Sequence, residues 1–332
     1  MILKNRIGPI VIIRVFAILS VVLGHAIIAY SGSWTTYSMA ESSIFLKYLY
    51  KYISIYQMPL FMAVSGYLFY YLKSEKDKYR EFGTFAVSKA KRLLLPFCVV
   101  GMLWGVPLHL SFDPNFKDFS YLEGVVKVLS NRIATNLWFL PTLFVIFVLM
   151  WFIVEHEKNN KIYVIIVTIA FCVVNVLSIK LPSIAYISNI AKYLIFFQLG
   201  CLVRKYRLNS IDHKYELVFF ISQFLVFINS NPVLQLISSA CSVLFFFLLF
   251  AKIIQKNTEI IQNKIIRNLD GDSFGIYLFH PSLIYPILYY FQDMKASPIL
   301  ISVITFSVIL LISILITEII KSNKYTRMII GA

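Results

Sequence analysis

Residues 10–30 read IVIIRVFAILSVVLGHAIIAY, a run long and apolar enough to cross a bilayer as one α-helix. The run nevertheless contains Arg14 and His25. A charged side chain in hydrocarbon is costly unless it faces the protein interior, a polar cavity or a counter-ion. At roughly 100° and 1.5 Å per residue, the two side chains share one helix face and lie about 16 Å apart along the axis. A structural ion pair or snorkelling would explain a lone arginine, but two polar residues on one face favour a functional site.

The composition places this run in a larger membrane protein. The chain has 332 residues, of which 59% are hydrophobic and 14% charged, whereas soluble domains have about 25% charged residues. The length is taken up by apolar runs and short loops, so we expect one integral-membrane domain over residues 1–332. The four cysteines lie in apolar runs without paired spacing, which predicts packing roles and no metal site.

The apolar runs predict an all-α, polytopic fold with about ten transmembrane helices. The runs lie near residues 8–30, 53–72, 93–111, 137–154, 162–179, 184–203, 216–230, 233–251, 273–291 and 297–320. Asn231-Pro232 predicts a tight turn between the seventh and eighth, although these two runs could also form one bent pair. With both termini cytoplasmic, most of the 31 Lys and Arg residues fall on the cytoplasmic side. That bias explains the net charge of +15, so a nucleic-acid-binding function is not needed to account for it.

Three predicted helices place polar or kinked features at the depth of His25. Gln57 and Pro59 begin the second run, and Asn136 and Trp138 begin the fourth. Ser65-Gly66 lies deeper in the second run. Such a small pair permits either close helix packing or a functional opening of the backbone.

Two further groups lie toward the predicted cytoplasmic side. Lys89, Lys91 and Arg92 precede the third run and could bind phosphates or anionic lipid. His280 lies about seven residues into the ninth run, so we expect it roughly 10 Å deep and nearer the cytoplasm than His25. A single histidine there is more often a hydrogen-bonded structural residue than a catalyst.

Together these motifs resemble the acyltransferase 3 family of integral-membrane O-acyltransferases. The matching segments are Arg14 and His25 with ten residues between them, Phe61 to Tyr67, Lys89 to Leu94, Asn136 to Pro141, and Ser273 to Pro281. The Met-Pro-Leu-Phe run at residues 58–61 looks most like the sugar O-acetylase branch, which usually has histidine where Gln57 stands. No single motif is specific, but five in the right order are.

The resemblance implies transfer of an acetyl group from acetyl-coenzyme A to a sugar hydroxyl of a cell-surface polysaccharide or its lipid-linked precursor. It implies a multi-pass protein of a cell membrane, with a bacterial inner membrane expected. Acetyl-coenzyme A is then a substrate, and no cofactor is permanently bound. The expected partners are this donor, the glycan or lipid-linked acceptor and membrane lipids, with no nucleic acid.

Within that function we assign roles by depth and chemistry. His25 is the expected general base, and Arg14, Lys89, Lys91 and Arg92 are expected to hold the coenzyme A phosphates. Candidates for substrate contact or oxyanion stabilisation are Gln57, Ser65, Asn136, Trp138 and His280. A transporter of a glycan or anionic substrate is the alternative, since transporters also carry intramembrane Arg and His residues. We find no internal repeat of the kind that many transporters show.

Overall fold

The computed structural model describes residues 7–34, 37, 39–131, 137–157, 160–208, 214–229 and 231–331. These residues form α-helices with short 3₁₀ and π-helical turns, and no strand occurs among them. The all-α prediction is therefore confirmed. Asn136, Lys158, His213 and Ser230 lie outside the described residues.

The described part contains thirteen α-helices, numbered here in chain order. They are α1 (Gly8–Ile28), α2 (Ile44–Tyr70), α3 (Phe82–Val100), α4 (Val106–Phe112), α5 (Tyr121–Leu129), α6 (Phe139–Glu157), α7 (Lys161–Leu177), α8 (Ile187–Lys205), α9 (Lys214–Ser222), α10 (Leu225–Ile228), α11 (Pro232–Lys256), α12 (Lys264–Phe291) and α13 (Pro298–Ser322). A π-helical segment, Gly101–Gly105, joins α3 to α4.

Helices lie over all ten predicted apolar runs. In the described part, seven helical segments are long and apolar enough to cross a membrane: Gly8–Ser31, Phe82–Phe112, Phe139–Glu157, Lys161–Lys180, Ile184–Lys205, Pro232–Lys256 and Pro298–Ser322. The seventh predicted run forms two short helices, α9 and α10, and α11 then begins at Pro232 with Asn231 as its N-cap. Ten crossings and cytoplasmic termini stay predictions.

The ninth predicted helix begins earlier than its apolar run. We expected it near residue 273, but α12 starts at Lys264, where the Asn263 side chain accepts hydrogen bonds from the first backbone N–H groups. The added segment contains Asp270 and Asp272, two buried acids that an apolar count excludes. Arg14 pairs with Asp270 and Lys321 pairs with Asp272. Because each acid is paired with a basic side chain, both can be accommodated within a buried helix.

The first helix lies in the interior of the bundle and contacts α2, α11, α12 and α13. Close packing of α2 on α8 depends on two glycines. A Cβ atom at Gly66 would overlap the backbone of Phe197, and one at Gly200 would overlap the backbone of Ala63. Of the two interpretations of Ser65-Gly66, close helix packing or an opening of the backbone, Gly66 therefore shows close helix packing. Helices α7 and α13 expose most of their apolar side chains, as expected of helices that face lipid.

Candidate functional site

His25 and His280 form a direct pair between α1 and α12. The Nδ1 atom of His25 lies 3.3 Å from Nε2 of His280, and the ring centroids are 5.1 Å apart. His280 is fully buried, whereas His25 is partly exposed. Each ring also contacts its own helix, since His25 Nδ1 lies 2.9 Å from the Val21 carbonyl oxygen and His280 Nδ1 lies 2.7 Å from that of Ile276.

These contacts define which nitrogens carry protons in the neutral pair. A carbonyl oxygen can only accept a hydrogen bond, so Nδ1 of each ring is the protonated nitrogen. Nε2 of His280 then has a free lone pair, and the single Nδ1–H group of His25 is shared between this nitrogen and the Val21 carbonyl oxygen. The remaining ring nitrogen of His25, Nε2, is left unprotonated. That is the state in which a histidine can accept a proton from a substrate.

The expectation that His280 lies nearer the cytoplasm than His25 is wrong. It rested on a helix beginning near residue 273, whereas α12 begins at Lys264. His280 is therefore roughly 24 Å along α12 at 1.5 Å per residue. The longer helix carries it to the depth of His25.

Gln57 of α2 packs against α1 at the residue that precedes His25. A Cβ atom added to Gly24, the residue before His25, would be 2.7 Å from the Gln57 Oε1 atom. This contact confirms the predicted common depth of Gln57 and His25. The Oε1 atom is buried and has no hydrogen-bond partner among the described residues. This oxygen can therefore accept a hydrogen bond from a ligand at this level.

A cavity of about 180 Å³ lies between α1, α2, α3, α6 and α12. Its polar lining comprises Arg14, Ser65, Tyr79, Lys89, Arg92, Ser273 and Tyr277, and its apolar lining is mostly phenylalanine and leucine. Three of the four predicted phosphate-binding cations thus converge on one space. The fourth, Lys91, is exposed and does not line the cavity.

Lys89 is the most unusual cation of this cavity. Its side chain is buried, with 9% relative exposure, and it makes no ion pair with a carboxylate of the described residues. Its Nζ atom lies 3.9 Å from the Phe147 ring centroid and 5.1 Å from that of Tyr79. Aromatic faces stabilise a cation less than a carboxylate does. A buried lysine held in this way is suited to an anionic ligand.

Tyr79 adds a neutral hydrogen-bonding group to the same wall. Burial raises the pKa of its phenol, so the hydroxyl stays protonated at neutral pH and does not oppose an anion. Nothing in the sequence marks this residue as a candidate, because it lies in a polar loop between two apolar runs.

Arg14 differs from Lys89 because it has a counter-ion. Its Nη2 atom lies 2.6 Å from Asp270 Oδ1, and the Asp270 side chain is 2% exposed. The ion-pair alternative considered for Arg14 is therefore what the structure shows, although Arg14 also lines the cavity. Sequence reasoning missed Asp270 as the partner. The available signal was an acid placed just before an apolar run.

The cavity ends close to the histidine pair. Tyr277 lines it and lies one turn before His280 on α12, with the two ring centroids 6.0 Å apart. Phe61 also lines it and lies one turn after Gln57 on α2. The cavity lining therefore reaches a residue that contacts His280, although His25, His280 and Gln57 do not themselves line the cavity.

Two other predicted site residues are placed as follows. The indole of Trp138 stacks on Tyr193 of α8 with ring centroids 4.9 Å apart, and it does not line the cavity. Ser65 lines the cavity and donates its hydroxyl proton to the Phe61 carbonyl oxygen at 2.9 Å. Its hydroxyl oxygen can still accept a hydrogen bond from a ligand. Asn136 is outside the described residues.

Comparison with known proteins identifies the family. The family model described as "Acyltransferase domain" matches residues 10–318, nearly the whole chain. No curated protein and no solved structure matches the chain. The matched region contains the histidine pair, Gln57 and every residue of the cavity. The chain therefore belongs to the acyltransferase 3 family and is a multi-pass membrane acyltransferase.

Proposed function

We propose that this enzyme transfers an acetyl group from acetyl-coenzyme A to a sugar hydroxyl of a cell-surface polysaccharide or of its lipid-linked precursor. One observation carries the proposal. A single cavity extends from the buried cation Lys89 to within one helical turn of the His25–His280 pair. An anion-binding cavity with a pair of bases one helical turn beyond its lining fits a donor with phosphates at one end and a thioester at the other.

The donor fits this cavity in one orientation. Lys89 and Arg92 supply positive charge for the phosphates, while Phe61, Leu68 and Phe69 offer an apolar wall to the pantetheine arm. Pockets that enclose a whole drug-sized ligand measure about 300–1,000 Å³, so a cavity of about 180 Å³ suits the slender arm only. The nucleotide then stays outside the cavity, near the exposed side chain of Arg92.

This orientation also sets the membrane topology that we propose. Acetyl-coenzyme A is made in the cytosol, so the end of the bundle that holds Lys89 faces the cytosol. The histidine pair then lies toward the opposite side. In a bacterium, the corresponding location is the inner membrane.

The proposed reaction uses His25 as the general base. Its Nε2 atom takes the proton of the sugar hydroxyl, and the hydroxyl oxygen forms a bond to the carbonyl carbon of the thioester. The carbon–sulfur bond then breaks, and the protonated His25 returns its proton to the departing thiolate. His280 accepts the Nδ1–H hydrogen bond of His25, which orients the ring and stabilises its protonated form.

Of the predicted oxyanion candidates, Gln57 is better supported than Trp138. Its side chain contacts the residue next to His25, and its amide group can donate a hydrogen bond to the developing negative charge. Trp138 stacks on Tyr193 instead. We assign Ser65 of α2 a role in holding the arm of the donor. It lines the cavity between the cations at one end and the histidine pair beyond the other.

Paired lysine variants test the donor site. Lys89→Met should weaken coenzyme A binding by about 10- to 100-fold, because a charge-assisted hydrogen bond contributes about 1.5–3 kcal/mol and about 1.4 kcal/mol is tenfold. Lys91→Met removes the same charge two residues away, where the side chain is exposed, and is the matched control. Calorimetric titration of the purified protein with coenzyme A measures both. Equal effects of the two substitutions would contradict this donor site.

A further inference from the structure

A second and larger cavity, of about 490 Å³, lies between α2, α7, α8 and α11. Its α2 wall includes Ile55 and Pro59, each two residues from Gln57. Two residues correspond to about 200° around a helix, and Gln57 faces α1. This cavity is therefore on the opposite side of α2 from the His25–His280 pair. It lies at the depth of the histidines but is separate from them.

The second cavity is positively charged. Lys51 and Lys192 line it, and no aspartate or glutamate is among its lining residues. Within the described residues neither lysine is paired with a carboxylate, and their ammonium groups instead lie 5.4 Å and 5.5 Å from the ring centroids of Phe227 and Tyr193. Two cations without counter-ions around one cavity favour binding of an anion.

Polar groups in the same walls are free to bind such an anion. The side chains of Asn189 and Ser239 line the cavity and make no hydrogen bond to any described residue. Both α8 and α11 also begin at this cavity, since Asn189 is in the first turn of α8 and Pro232 is the first residue of α11. Helix N-termini carry partial positive charge and add to the field of the lysines.

The rim of the cavity is apolar and continuous with a lipid-facing surface. Ile179 and Leu181 line the cavity and remain exposed. The adjoining helix α7 exposes a row of isoleucines that includes Ile162, Ile165 and Ile169. A soluble anion would gain nothing from this surface. A ligand with an acyl or isoprenoid chain would bury that chain against it.

We propose that this cavity binds the phosphate headgroup of an anionic amphiphile, with Lys51 and Lys192 at the phosphate and the lipid chain along α7. A membrane phospholipid and an isoprenyl phosphate that carries a glycan both have this chemistry. The site does not depend on the acetyl-transfer proposal, because lipid binding is measured without donor or acceptor.

Lipid binding to the full-length protein in detergent tests the site. The probes are phosphatidylglycerol, a long-chain isoprenyl phosphate, phosphatidylcholine and inorganic phosphate, followed by native mass spectrometry. We expect one or both anionic lipids to bind at least tenfold more tightly than phosphatidylcholine, and inorganic phosphate at equal concentration not to displace them. Tighter binding of the isoprenyl phosphate identifies a glycan carrier as the ligand, and equal or tighter binding of phosphatidylglycerol identifies a membrane lipid.

Lysine variants connect that binding to the cavity. The Lys51→Gln/Lys192→Gln double variant should lose at least tenfold in affinity for the anionic lipids, and the corresponding double substitution to arginine should retain it. Lys180→Gln is the matched control, since Lys180 is exposed near the same rim but does not line the cavity. If the double glutamine variant does not fold, Lys192→Gln alone serves, because Lys192 is an exposed side chain. Unchanged affinity in the glutamine variant, or an equal loss in Lys180→Gln, would overturn the proposal, as would equally tight binding of phosphatidylcholine.

Discussion

Replacing Arg14 by methionine should destabilise the protein by about 3 kcal/mol. The substitution removes the guanidinium group that pairs with Asp270, a side chain that is 2% exposed. Removing one partner of a buried ion pair costs about 3–5 kcal/mol, mostly because the other charge stays buried and uncompensated. Arg14 itself is 30% exposed, so water reaches part of the site and the low end of the range applies.

A double-mutant cycle in detergent measures this value. The free energy of unfolding is compared for the parent chain, Arg14→Met, Asp270→Leu and the double variant, with helical ellipticity as the signal. The double variant should recover most of the lost stability, since an apolar pair often replaces a buried ion pair without cost. A loss below about 1 kcal/mol in Arg14→Met would refute the reasoning, because the pair would then contribute little.

Three further predictions concern other residues of the bundle. Gln57→Leu should lower turnover by about 10²-fold or more without changing coenzyme A affinity, as expected for an oxyanion donor and measurable by release of free coenzyme A; an equal loss of affinity would assign Gln57 to donor binding. Gly66→Ala should destabilise the bundle, because the added Cβ overlaps the α8 backbone, whereas Gly83→Ala, with open space around it, should be neutral or stabilising by thermal unfolding. Hydrogen bonding to Arg204 lowers the pKa of Glu75 below its usual value of 4.5, so its stabilising contribution is present above about pH 4.5 and lost as the pH falls below it; Glu75→Gln should flatten that acid limb of a stability–pH profile.

The apolar pattern predicted where helices lie and how deep their side chains sit. Residues 10–30 predicted α1, and counting along two helices correctly placed Gln57 at the level of His25. Depth follows from the rise per residue, which is nearly constant. The convergence of Lys89 and Arg92 with Arg14 also followed from depth and the assumed orientation of the helices.

What the pattern could not predict was the direction in which side chains face and with which residues they pair. Asp270 and Asp272 precede the ninth apolar run, and an apolar count does not include them. Their charges are tolerable in a buried helix because Arg14 and Lys321 on other helices pair with them. Missing that pairing shortened the predicted helix and misplaced His280. The Trp138 ring turns toward α8, a direction that depends on helix packing rather than on spacing.

The central claim is that His25 is the base at the end of the donor cavity. Its most direct test is release of free coenzyme A from acetyl-coenzyme A in the presence of glycan, with His25→Ala and His280→Ala compared at equal membrane abundance. We expect His25→Ala to lose about 10²–10⁴-fold in rate while still binding coenzyme A, and His280→Ala to lose less, since it removes only the group that orients His25. An active His25→Ala protein beside an inactive but folded His280→Ala protein would contradict this account.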